Sequence, residues 1–160
     1  MEADGRTLIR ELVSKYYRKA YSMLEVGSGG GELLIDLAAN YGGEVWGIDP
    51  YIPRRNFRGV TFADIPAEEI HTLGRNFDLI FSVYSLHHFR DMRTFLQGMK
   101  EVLTPEGTFI FVDWRKGTET GVPEPYLSLS EVVTQVEKSG YVIVESGAGS
   151  SHFYLVGKLG

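Results

Sequence analysis

The amino-acid sequence predicts an α/β fold built on a doubly wound, mostly parallel sheet, and three observations carry that expectation. Short apolar runs alternate with helical hydrophobic patterns along most of the chain, the pattern of strand–helix units whose strands pair in parallel. The first of these runs, Leu24-Glu25-Val26, breaks into Gly27-Ser28-Gly29-Gly30-Gly31 and at once into the helical pattern Leu33, Leu34, Leu37, Ala38. Five strands each deliver a polar residue at their end: Glu25, Asp49, Asp64, Ser82 and Asp113. Ligands of wound sheets bind beyond the carboxyl ends of the strands, so five polar residues at one rim point to a site there.

Taken in order, Leu8, Ile9, Leu12, Val13, Tyr16, Tyr17 and Ala20 form an apolar stripe. It predicts a helical cap over residues 1–20, ahead of a core over 21–160. The first strand spans about Tyr21 to Val26, and the helix after the glycine turn stops at Asn40-Tyr41-Gly42-Gly43. Val45 to Ile48 is a second strand ending on Asp49-Pro50, and Val60-Thr61-Phe62 a third. Between them, Tyr51 to Gly59 has no sustained periodicity and is expected to hold one helical turn at most. Pro66 opens a short helix over Ala67 to Leu73 at the position proline favours.

Phe77 to Phe81 is the fourth strand, followed by a helix with Asp91 as its cap and Met92, Phe95, Leu96, Met99, Val102 and Leu103 as its stripe. Thr104-Pro105-Glu106-Gly107 reads as a turn, and Thr108 to Asp113 as the fifth strand. The Gly- and Pro-containing segment from Trp114 to Leu127 is long enough to suggest binding rather than mere connection. Ser128-Leu129-Ser130-Glu131 is a capping box, and Gly140 ends the helix it opens. Tyr141 to Glu145 and His152 to Lys158 then form a hairpin. There is no internal repeat and no linker, so one domain is expected.

Composition narrows the functional classes. A chain of 160 residues is long enough for a three-layer core. Its net charge of -5 argues against a generalised attraction to nucleic acid or to anionic membranes. Without cysteine there is no disulfide, no thiol nucleophile and no thiolate zinc site, and no other metal-ligand set is read. No run is long enough to span a membrane and no apolar leader opens the chain, so a cytoplasmic protein is expected. The oligomeric state is not set by these features.

The glycine turn defines the chemistry. Gly27, Gly29 and Gly31 can take positive φ and let a ligand lie against bare backbone, while the first amides of the next helix are unpaired donors. The dinucleotide fingerprint G-x-G-x-x-G would require its third glycine at position 32, which is Glu32, a charge where pyrophosphate would approach. A nicotinamide-dependent enzyme is therefore disfavoured. The spacing is instead E-x-G-x-G-x-G, from Glu25 to Gly31.

That spacing resembles the first motif of the class I S-adenosylmethionine-dependent methyltransferases. Gly47-Ile48-Asp49, Ala63-Asp64-Ile65, Phe77-Asp78-Leu79-Ile80, Leu86-His87-His88-Phe89 and Leu103-Thr104-Pro105-Glu106-Gly107 resemble the later motifs, in the family's order, over residues 20–158. The resemblance implies a three-layer Rossmann-like methyltransferase fold, its seven-stranded sheet ordered 3-2-1-4-5-7-6 with an antiparallel last strand. It implies S-adenosylmethionine as cofactor. Gly27, Ser28, Gly29 and Gly31 would line the methionine portion with Glu25 beneath, and Asp49, followed by Pro50, would take both ribose hydroxyls. Asp64 would accept from the adenine amino group with the Ile65 amide facing a ring nitrogen, although an Asp before Ile-Pro can also cap the short helix. Ser82 would present backbone to the ammonium.

The candidates for proton transfer near the methyl group are His87 and His88, with Tyr84 behind them; imidazole titrates near neutrality, and the other reading is that one ring packs against Phe89 and the fourth strand while the other lines the rim. The D/N-P-P-Y/F motif of amino-group methyltransferases is replaced by Ser82-Val83-Tyr84-Ser85, which lowers adenine, cytosine and glutamine amides as substrates. With no long insertion to hold a large partner, a small-molecule acceptor is expected. The other reading is a non-catalytic S-adenosylmethionine-binding subunit of a complex.

Overall fold

The computed structural model of the chain describes residues 4–18, 21–118 and 124–160. Its elements are α1 (Gly5–Tyr16), β1 (Met23–Val26), α2 (Glu32–Asn40), β2 (Val45–Ile48), β3 (Arg55–Phe57), β4 (Val60–Ala63), β5 (Phe77–Val83), α3 (Met92–Met99), β6 (Leu103–Trp114), α4 (Leu129–Lys138), β7 (Tyr141–Ala148) and β8 (His152–Leu159). Short 3-10 helices cover Ala67–Leu73 and Leu86–His88. All strands belong to one sheet in the order β3-β4-β2-β1-β5-β6-β8-β7. Strands β4, β2, β1, β5 and β6 are mutually parallel, and β8 runs antiparallel to both β6 and β7. No helix among the described residues is long and apolar enough to cross a membrane.

Alternation along the central strands builds a core on each face. Phe109 and Phe111 of β6 join Phe77, Ile80, Phe95, Leu96 and Val136 under α3 and α4. Their neighbours Ile110 and Val112 join Ile9, Val13, Leu34, Leu79 and Phe81 under α1 and α2. A sheet covered on both faces explains why the run Phe109–Val112 of β6 is apolar at every position, since successive side chains point to opposite layers. Each fully buried Phe or Leu contributes about 1.5–3 kcal/mol from burial.

The helix ends follow the local signals. Asp4 caps α1 by accepting from Thr7 N–H (2.8 Å), Asp91 caps α3 through Thr94 N–H (3.1 Å), and Ser128 caps α4 through Glu131 N–H (3.1 Å). Tyr17 lies past the end of α1 in extended backbone, and Ala20 falls outside the described residues.

Three local expectations are corrected. The stretch Tyr51 to Gly59 contains a strand, β3, rather than a helical turn, and the sheet has eight strands instead of seven. Arg58 and Gly59 both hold positive φ (49° and 81°), closing a two-residue hairpin onto β4. Such a turn is usually written Asn-Gly or Asp-Gly, and arginine at its first central position concealed it. Thr104 to Gly107 is not a turn between elements but an excursion inside β6: Phe77 pairs with Leu103 and Leu79 with Thr108, leaving the intervening residues of β6 bulged. Finally, β5 runs on to Val83, so Ser82 sits within the strand opposite Phe111, fully buried, instead of at its end.

Candidate active site

The carboxyl ends of β1, β2 and β5 converge on the glycine turn. Gly27 N–H and Ser28 N–H both donate to the Ile48 carbonyl (2.8 and 3.1 Å), which ties the turn to β2. Gly31 sits at the N-cap of α2 with φ 84°, and a Cβ there would collide with the Phe62 ring. Gly29 differs: nothing lies within 4 Å of where its Cβ would be. One glycine is thus required by the protein's own packing, while the other leaves open space.

Two cavities flank the turn and share Gly27. The smaller, about 320 Å³, lies between Glu25, the glycines, Arg6 of α1, Glu32 and Tyr84. The larger, about 610 Å³, is walled by Asp49, Pro50, Tyr51, Pro66–Glu69, Ser85 and His88–Arg90.

Glu25 is 3% exposed, and its Oε1 has no hydrogen-bond partner among the described residues. Burial pushes its carboxyl well above the usual carboxylate range; the charge of Arg6 pulls it down and that of Asp49 pushes it further up. A buried polar atom without a partner costs free energy, and this one stands beside a cavity. Asp49 is held from both sides: Gly29 N–H donates to Oδ2 (3.0 Å) and Tyr51 N–H to Oδ1 (2.9 Å). Its side chain is therefore oriented by the same turn that it faces.

Neither cavity is lined by Asp64, Ile65 or Ser82. Asp64 points instead toward Arg54, with Nε 3.6 Å from its Oδ1. Nor does Asp64 cap the helix at Ala67, which starts at Pro66 with no side-chain cap. The Ser82 Oγ is buried without a partner among the described residues.

The residues considered for proton transfer separate. Tyr84 takes a φ of 58°, uncommon for a bulky side chain. That conformation stacks its ring on Trp114 (4.5 Å between centroids, 10° between planes) and lets its hydroxyl accept from Gly5 N–H (2.7 Å). Tyr84 therefore fastens α1 over the smaller cavity, and burial raises its pKa. His87 lines neither cavity. Its Nδ1 lies 2.8 and 2.9 Å from the two oxygens of Asp113, which is fully buried, and its Nε2 lies 2.5 Å from Glu124 Oε2. Burial works against its charge, but the hydrogen bonds and charges of Asp113 and then Glu124 outweigh burial and raise its pKa above 6.5. His88 lines the larger cavity, with its side chain 59% exposed.

Arg6, Ser85 and Glu124 were not legible as site residues. Arg6 lies off the apolar stripe of its helix, which marked it only as solvent-facing. Glu124 belongs to the Trp114–Leu127 segment, whose length was the one signal available; residues 119–123 of that segment lie outside the described residues.

The glycine turn after β1 and the acid that follows β2 lie outside the carboxyl ends of the strands, where wound sheets of this kind bind their ligands. The model of one family, described as a methyltransferase domain, matches residues 1–146, and the chain belongs to that family. It is similar to an uncharacterized methyltransferase, YcgJ, of Bacillus subtilis strain 168, at 26% identity over 121 residues, covering 69% of this chain. The match covers 47% of that relative, so the chain spans about half the length of the curated relative it matches. Among solved structures it resembles a SAM-dependent methyltransferase from Aquifex aeolicus (TM-score 0.75, 22% identity, 92% of this chain and 87% of that one). It also resembles the glycopeptide N-methyltransferase MtfA complexed with S-adenosyl-L-methionine (TM-score 0.76, 15% identity, 100% and 96%). At these identities the likeness is one of fold.

Proposed function

We propose that this protein is an S-adenosylmethionine-dependent methyltransferase that acts on a small acceptor. The observation that carries the reading is Glu25: a buried carboxyl with an unpartnered oxygen, beside a glycine turn that is open at Gly29. An ammonium group answers such an oxygen, and the methionine end of the cofactor bears one. Arg6, which lines the same cavity, offers a partner for the carboxylate at that end. Each Asp49 oxygen already accepts one backbone N–H and keeps further acceptor capacity, which suits a vicinal diol with two donors.

When bound, the cofactor supplies a methyl group on a positively charged sulfonium. The contribution of the chain is to bind, orient and exclude water, because in-line displacement depends mainly on positioning. Helix α1, fastened by Tyr84, closes the smaller cavity, and the larger one leaves room beside His88 for an acceptor. His87, with both ring nitrogens committed to carboxylates, is a positioning residue rather than a base.

Titration calorimetry with S-adenosylmethionine, S-adenosylhomocysteine and NAD tests the ligand. The first two are expected to bind and NAD is not. Tight NAD binding without affinity for the sulfonium would overturn the reading. Methyl-labelled cofactor offered with pools of small molecules then identifies the acceptor.

A further inference from the structure

Where β5 and β6 end, two histidines and a glutamate converge outside the proposed cofactor contacts. One ligand atom from each of His87, His88 and Glu124 lies within 4.8 Å of the others. Glu124 Oε2 is 2.5 Å from His87 Nε2 and 3.5 Å from His88 Nε2. We propose that these three side chains form a binding site for one divalent transition-metal ion of the zinc type. The proposal stands independently of the methyl-transfer reading.

Asp113 aims the first ligand. Its carboxylate accepts from the backbone N–H of His87 (3.0 Å) and of Trp114 (2.7 Å), so it is held in place, and Nδ1 of His87 faces both its oxygens. A carboxylate only accepts, so Nδ1 carries the hydrogen, and Nε2 meets Glu124 either through a second hydrogen or through a metal ion that takes its place. With that second hydrogen displaced, the Nε2 lone pair and the Glu124 oxygen converge on the position of one cation. A buried carboxylate behind a histidine, fixing its tautomer, is the arrangement that supports metal-ligating imidazoles.

The donor set selects the ion. Two imidazole nitrogens and one carboxylate oxygen suit zinc and its first-row neighbours, whereas magnesium and calcium take oxygen ligands. Ligands about 2.0–2.2 Å from a tetrahedral zinc stand roughly 3.4 Å apart. The His88–Glu124 separation of 3.5 Å already matches that spacing. The closer His87–Glu124 pair would open through the Glu124 side chain. His88 lines the larger cavity, which provides the entry path and leaves a fourth position facing that space.

The test is direct titration of the full chain, after treatment with a chelator, with Zn²⁺ against a chromophoric competitor and with Co²⁺ followed by its visible absorption. One equivalent is expected, with an intense Co²⁺ spectrum of low coordination number. Glu124→Gln and His88→Ala should each weaken Zn²⁺ binding by more than about 100-fold, since even removal of an outer partner costs 10–100-fold. The exposed His71, remote in sequence from the cluster, supplies the control, and His71→Ala should bind as the parent does. Circular dichroism melts of all variants separate ligand loss from unfolding. Absence of a stoichiometric site in the parent chain, or full retention of the Co²⁺ spectrum in folded Glu124→Gln, would overturn the proposal and leave a proton-bridged pair only.

Discussion

Replacing Glu25 by Gln separates the stability of the empty site from its affinity, and the two should move in opposite directions. In the folded chain the carboxyl is 3% exposed, Oε1 has no partner among the described residues, and burial raises its pKa well above 4.5. Between the unfolded value and the raised folded one, the folded chain holds one more proton than the unfolded chain. Stability from this group is therefore fully present below about 4.5 and is lost as pH rises through the folded value.

Glutamine mimics the protonated form and removes that loss. Above the window the variant should be more stable than the parent, because the parent must there deprotonate a buried carboxyl or unfold. The Tm of the variant should therefore exceed that of the parent increasingly as pH rises through the window. Affinity should fall. An ammonium about 4 Å from the carboxylate is worth ~4 kcal/mol at an effective dielectric constant near 20. Desolvation offsets much of that, and the net worth of a hydrogen bond to a charged group, about 1.5–3 kcal/mol, puts the loss at roughly 10–100-fold in Kd for S-adenosylmethionine. Thermal melts between pH 4.5 and 8, with calorimetry at pH 8, measure both. A variant less stable than the parent at pH 8, or a Tm difference that does not change with pH, would refute the argument.

Other expectations follow from the same geometry. Asp49→Ala should weaken S-adenosylmethionine binding by up to two orders of magnitude. In a cycle with a 2′-deoxyribose analogue the penalty of the analogue should largely vanish in the mutant, and simple additivity would reject the diol assignment. Gly29→Val should abolish cofactor binding while the chain still folds, because the space around its Cβ is empty and only the positive φ of 55° opposes a side chain, at about 1–2 kcal/mol; cooperative melting with no calorimetric signal is the expected pair of results. Tyr84→Phe removes the acceptor of Gly5 N–H and should cost about 0.5–1.5 kcal/mol. Hydrogen exchange in α1 should then be faster, and in the parent chain it should slow on binding; unchanged exchange in both comparisons would make α1 plain scaffold.

What the sequence determined by itself was whatever acts over a few residues. The change from strand to glycine turn to helix at Leu24–Gly31 is written in adjacent side chains, as are the caps at Asp91 and Ser128 and the Asp49 that ends β2. Apolar runs of strand length, alternating with helical stripes, sufficed for the wound sheet because its central strands are buried on both faces. Even the local record failed where an atypical residue took a special conformation, as Arg58 does in the hairpin that adds β3. Only the tertiary structure decided the partners of the polar groups. Glu25 became an orphan because β2 and β5 enclose it. Tyr84 was committed to Gly5, 79 residues away. His87 was set between Asp113 and Glu124, at separations of 26 and 37 residues. A side chain's charge, tautomer and reach depend on the dielectric and donors that surround it, and here distant segments supply those surroundings through packing.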